Sequence, residues 1–97
     1  MHMNYKLVEV IWIDAEEHGD IGWNDLKSMK AYAKKPCPVM HTVGYVLHQT
    51  DEHIAVVSTV GSDECSRVEK IPAEFVKEIK VIREEKPRTQ SVKKKGK

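Results

Sequence analysis

Cysteine is scarce: Cys37 and Cys65 are the only two in 97 residues. Two thiols make no disulfide framework, and neither belongs to a Cys-x-x-Cys pair, so the chain reads as reduced and intracellular. Long hydrophobic runs are also missing. The longest, residues 8–13, is broken by Glu9, so no segment has the length or apolarity of a membrane span. Met1-His2-Met3-Asn4 lacks the apolar core of a secretory leader. The expected location is the cytoplasm, with no membrane partner.

The motifs of common catalysts are absent as well. There is no His-Glu-x-x-His or comparable zinc spacing and no glycine-rich phosphate loop. Ser58, Ser62, Ser66, Cys37 and Cys65 have neither a Gly-x-Ser-x-Gly elbow nor a recognisable Cys–His setting. The expectation is a non-enzymatic protein without a cofactor or metal.

What is present suits one small soluble domain. Hydrophobic residues make up 40% of the chain, with two Trp and three Tyr. The length allows one modest core. A net charge of +1 conceals an asymmetry. Residues 1–82 hold nine Lys/Arg against thirteen Asp/Glu, a sum of −4; residues 83–97 hold seven against two, a sum of +5. A duplex-binding fold concentrates positive charge on its own surface, and here only the tail offers it.

Residues 6–13 read as a first strand, apolar on both faces, which suits a strand covered on two sides. An acidic loop, 14–22, leads into a helical pattern over 23–35, with Trp23, Leu26, Met29 and Ala33 at three-to-four spacing. Asn24 or Asp25 is placed to cap it, and Pro36 and Pro38 stop it. Residues 41–49 and 54–60 form the second and third strands, joined by a hairpin turn. After a loop, 67–71 is a short fourth strand. Pro72 to Phe75 reads as one 3₁₀ turn, and 76–82 is the fifth strand. A proline-led turn between short strands lets a small barrel turn its corner. Residues 1–82 are therefore one domain, and 83–97 a basic disordered tail. That tail offers weak, salt-sensitive attraction to nucleic acid or is simply solvated.

The stretch Gly44-Tyr45-Val46-Leu47-His48-Gln49-Thr50-Asp51-Glu52-His53-Ile54, followed by Ile71-Pro72-Ala73-Glu74-Phe75, resembles the core of Sm-like and SH3-like small barrels over about 40 residues. Gly44 falls where such barrels bend the long second strand, and Asp51 at the turn before the third. The resemblance implies a mainly β fold: a five-stranded SH3-like or Sm-like barrel with one α-helix between strands one and two. Two features of RNA-binding Sm proteins are missing. Ile54-Ala55-Val56 stands where their Asn follows the turn, and Ile71-Pro72 where an Arg-Gly precedes the last strand. The uridine pocket is not carried over. The lead-in, Val10-Ile11-Trp12-Ile13-Asp14-Ala15 and then Gly22-Trp23, is similar to that of small uncharacterised proteins of tailed phages.

The five histidines give no ligand spacing. His41 and His48, seven apart, are expected on opposite faces of their strand. The acidic loop (Asp14, Glu16, Glu17, Asp20) could group with His18, but its glycine is misplaced for a calcium loop. Asp14 reads as a strand end or turn cap. Trp12, Trp23, Tyr32 and Tyr45 read first as core residues, with Trp23 and Leu26 docking the helix over an open barrel end. The alternative is a ligand platform in which aromatics stack on a base while basic and hydroxyl groups hold phosphate. Its candidate residues are Trp12, Trp23, Thr42, Tyr45, His48 and Arg67.

Three functions stay open: a phage-encoded protein that sequesters a nucleotide-derived signal of host defence, an Sm-like binder of RNA or single strands, and an adaptor that inhibits a host protein. Free edges at strands four and five favour a homo-oligomer, often a ring.

Overall fold

The computed structural model describes residues 4–85. Five strands and one helix follow in order: β1 (Leu7–Ile13), α1 (Leu26–Ala33), β2 (Val39–Gln49), β3 (His53–Val57), β4 (Val68–Pro72), a 3₁₀ turn (Ala73–Phe75) and β5 (Val76–Arg83). The strands form one open antiparallel sheet in the order β4-β3-β2-β1-β5. The mainly β reading, the strand count and the helix position hold. The sheet is open, with β4 and β5 at its edges. The basic stretch 86–97, with His2, lies outside the described residues.

β2 is shared between two halves of the sheet. From Val39 to Tyr45 it pairs with β1; from Tyr45 to Gln49 it pairs with β3. Gly44 lies next to the residue where β2 changes partner. A Cβ there would lie 2.8 Å from the Val57 carbonyl oxygen and 3.2 Å from the Val56 Cβ. Only glycine lets β3 approach this closely.

Alternation then builds the core. Val8 and Val10 of β1, Ile54 and Val56 of β3 and Ile71 of β4 form one buried cluster, with Trp12, Val46, Val76 and Ile79 packed against it. Burying a side chain of this size contributes about 1.5–3 kcal/mol. β3 is buried on both faces, because Ala55 and Val57 are also covered. β1 is not. Its second face leaves Leu7, Glu9 and Ile11 half-buried and Ile13 exposed, so the two-sided cover expected of it is absent.

Several boundaries shift. The helix is shorter than the 23–35 pattern, because Asp25 caps it with its side chain and Trp23 lies before the cap. β3 ends at Val57 rather than residue 60; Val60 instead forms an isolated bridge with Cys65. The 3₁₀ turn falls on the Pro-Ala-Glu-Phe segment, and its Ala73 N–H donates to the Glu52 carbonyl at 2.8 Å. Asp14 directly follows the end of β1, its carboxylate accepting from the Ala15 N–H at 2.9 Å.

The helix does not cover the sheet. α1 has no buried residue, and the extensive contacts run between neighbouring strands and from β3 to the 3₁₀ turn. Trp23 is 101% exposed and Leu26 67%. The expected docking of Trp23 and Leu26 over a barrel end is overturned. Residues 14–38 form an arm, closed at its base where the Asp14 N–H donates to the Pro38 carbonyl at 3.0 Å.

Candidate functional site

The split in β2 creates the site. On the β3 side, the ladder begins at the Tyr45–Val57 pair, so Thr42 and Val43 have no strand beside them there. β3 meanwhile ends and the chain leaves through residues 58–67. Between these elements lies a cleft of about 430 Å³, lined by Thr42, Val43, Val56, Val57, Ser58, Arg67, Val68 and Glu69.

Its polar groups are held in place by short-range bonds. The Trp12 indole N–H donates to the Thr42 hydroxyl oxygen at 3.0 Å. That bond occupies an acceptor position on Thr42 and leaves its O–H free to donate. Ser66 ties the loop. Its hydroxyl oxygen accepts from the Ser58 and Thr59 N–H groups at 3.2 and 3.1 Å, and its own N–H donates to the Thr59 carbonyl at 2.9 Å. The Gly61 N–H donates to the Glu64 carbonyl at 2.7 Å and closes the loop tip. Arg67 follows Ser66 directly and lines the cleft as an exposed residue. Among the described residues the one ion pair is His41 Nδ1 with Glu9 Oε2 at 2.8 Å, so the Arg67 guanidinium has no carboxylate within salt-bridge distance there.

Three of the six candidate residues therefore come together: Thr42 and Arg67 line the cleft, and Trp12 supports Thr42 from the core face. The other three lie elsewhere. The Arg83 guanidinium carbon stands 5.7 Å from the centre of the Tyr45 ring. His48 lines a separate hollow of about 340 Å³ with Tyr5, Lys6 and Glu85, and its ring lies 5.4 Å from that of His53. Trp23 is on the arm.

Glu69, Ser58 and the apolar walls Val43 and Val68 were not among the candidates. The signal for Glu69 was present: in a strand, it alternates onto the same side as Arg67. Ser58 had no such signal, since its place depends on where β3 stops. His41 and His48 also need correction. β2 carries a bulge between Val46 and His48, which sets His48 opposite Ala55. One extra residue reverses the alternation and brings His48 to the face of His41. Among the described residues no group of three or more His, Cys, Asp or Glu is placed to hold a metal ion. Cys37 and Cys65 are both free and exposed.

The arm has its own internal order. The Asn24 side chain accepts from the Asp20 N–H at 2.9 Å and donates to the Asp20 carbonyl at 3.0 Å. Gly19 and Gly22 supply φ values of +122° and +102° to this turn, where a side chain would be strained. The Asp25 carboxylate accepts from the Ser28 N–H at 2.9 Å and its hydroxyl at 2.8 Å, which holds its pKa below the usual aspartate value. The His18 and Tyr32 rings stack at 4.4 Å. The nearby Glu16 carboxylate, which favours the protonated phenol, and then burial push the Tyr32 pKa up to about 12. The shielded phenol oxygen nevertheless has no partner at full hydrogen-bond geometry among the described residues.

No family model matches the chain, and neither a curated protein nor a solved structure matches it. Among the described residues no helix is long and apolar enough to cross a membrane.

Proposed function

We propose that this chain is a non-catalytic binding protein that holds a nucleotide-derived ligand in the Thr42–Arg67 cleft. The carrying observation is the convergence of a fixed hydroxyl, an unpaired guanidinium and a carboxylate on one apolar-walled hollow. Arg67 and the Thr42 O–H suit phosphate oxygens. Glu69 would repel a bare anion, and instead suits the amino or imino edge of a base on the same molecule. A nucleotide carries both groups; a simple phosphate carries one.

The non-catalytic part of this reading draws on the hydroxyl groups of the cleft. The hydroxyl of Thr42 is engaged by Trp12, and the Ser58 Oγ lies 3.1 Å from the Ser66 Oγ. Neither arrangement supplies a base to activate a nucleophile.

The wider proposal is a phage-encoded protein of the host cytoplasm that sequesters a nucleotide-derived defence signal, in keeping with the phage-like lead-in. It also takes the sheet as an SH3-like or Sm-like small barrel, with the edges at β4 and β5 open to pairing between copies. The close approach of β3 at Gly44 and the proline-led corner support that shape.

The test is thermal shift with cyclic dinucleotides and ADP-ribose derivatives, run beside short RNAs. A ligand at one hundred times its Kd stabilises by about 2.7 kcal/mol, a shift readily measured. The expected result is a shift with one nucleotide class that Arg67→Ala removes. A shift with RNA alone, lost in high salt, would select the nucleic-acid binder. No shift with either would leave the host-protein adaptor, read by pull-down from host lysate.

A further inference from the structure

The arm presents the most exposed apolar side chains of the described residues. Ile21 is 105% exposed, Trp23 101% and Leu26 67%, all within six positions. At such exposure Ile21 and Trp23 make almost no contact with their own chain. Such residues occur in floppy loops at little consequence, but this segment is built. Asn24 clamps the turn, Asp25 caps the helix, and the His18–Tyr32 stack ties loop to helix. The apolar groups are held out on a preorganised support, which lowers the ordering cost of binding.

The charges around them fall in two blocks. Residues 14–25 carry five carboxylates (Asp14, Glu16, Glu17, Asp20, Asp25) and no Lys or Arg. Residues 27–35 carry four lysines (Lys27, Lys30, Lys34, Lys35) and no acid. The apolar trio sits where the blocks meet. A surface of this kind is complementary to itself under a two-fold axis, because each acidic half then meets the lysine half of the other copy.

We propose that the arm is a self-association surface, on which residues 16–34 of two copies pair antiparallel with Ile21, Trp23 and Leu26 at the centre. Area supports this occupant. An exposed Trp presents ~200 Å². The trio offers on the order of 500 Å² per copy and two arms ~1,000 Å², the size at which a specific interface begins. A hollow of about 550 Å³ lined by Glu17, His18, Gly19, Asp20 and Ile21 gives the partner's Trp23 a seat beside the trio. This contact uses neither the cleft nor the β4 and β5 edges.

Sedimentation equilibrium of the full chain across micromolar concentrations tests it. The expected result is a reversible dimer whose Trp emission shifts to the blue as concentration rises. The variant Ile21→Ser with Trp23→Ser should weaken dimerisation by about thirtyfold or more, as central aromatic anchors do. Its circular dichroism should match that of the parent, since neither side chain packs in the isolated chain. Two charge variants supply an independent check: Glu17→Lys with Asp20→Lys, and Lys27→Glu with Lys30→Glu. Each alone should dissociate, and an equimolar mixture should restore dimers. A monomer throughout, or a dimer that survives Ile21→Ser with Trp23→Ser, would overturn the proposal. The ligand shift of the cleft should persist in these arm variants, so loss of one property is separable from loss of the other.

Discussion

Ile54 in the sheet is 2% exposed and Ile21 in the arm is 105% exposed. The sheet buries β-branched side chains between strands, and some of its neighbours in space lie 30 residues apart in sequence, as Trp12 and Thr42 do. The arm is held largely by local bonds, such as Asp25 with Ser28 and Asn24 with Asp20, together with the His18–Tyr32 stack and the Asp14–Pro38 bond at its base. One region derives its stability from excluding water, the other from satisfying its own polar groups. The arm's apolar residues are therefore free for another surface.

The contrast is broken most severely from the sheet side. Ile54→Ala should cost about 2–5 kcal/mol, through lost transfer energy and the cavity left in the cluster. Urea denaturation followed by circular dichroism measures it. Gly44→Ala comes next, at about 1–3 kcal/mol, because its Cβ would press on the Val57 carbonyl. The same denaturation series, with an unchanged m value, separates lost stability from an altered unfolded state. Thr42→Val should cost about 1 kcal/mol by leaving the half-buried Trp12 N–H without its acceptor. Indole N–H chemical shift and exchange rate report it directly.

Effects on the arm should be smaller and local. Asp25→Ala should fray α1 without moving the sheet resonances, since it removes the cap of the Ser28 N–H. Its pH dependence has a definite sign. The folded-state pKa of Asp25 is depressed, so its contribution is present above the ordinary aspartate value and lost as pH falls through the folded-state value. Helical signal from α1 should therefore fade under acid before the sheet melts. The smallest effect belongs to Ile21→Ala. Measured under dilute conditions, its unfolding free energy should stay within about 0.5 kcal/mol of the parent. A large loss there would mean that the arm is folded onto the sheet after all.

Much of this was legible in the residues. Val8 and Val10 alternate with polar or less buried neighbours, Thr50 to His53 makes a turn, and Pro72 to Phe75 turns a corner; each is a local signal with a local cause. The bulge after Val46 left no such signal, because a bulge is set by how two strands fit and not by one strand's pattern. That single residue moved His48 to the face of His41. Trp23 misled for a different reason. An apolar residue at helical spacing states that a surface exists, not what covers it. Of the candidate ligand groups, Thr42 and Arg67 converge while Tyr45 and His48 do not, and composition cannot distinguish these cases.

The sequence by itself determined the elements: five strands, a helix with Asn24 or Asp25 as its cap, and a glycine within β2. These follow from side-chain period, capping chemistry and backbone freedom, which act over a few residues. Tertiary structure alone decided that the helix stands away from the sheet, that β3 stops short of Ser58, and that Arg67 and Thr42 line one cleft. Those outcomes depend on which surfaces meet across long stretches of chain, and packing energy between distant segments has no signature in any one of them.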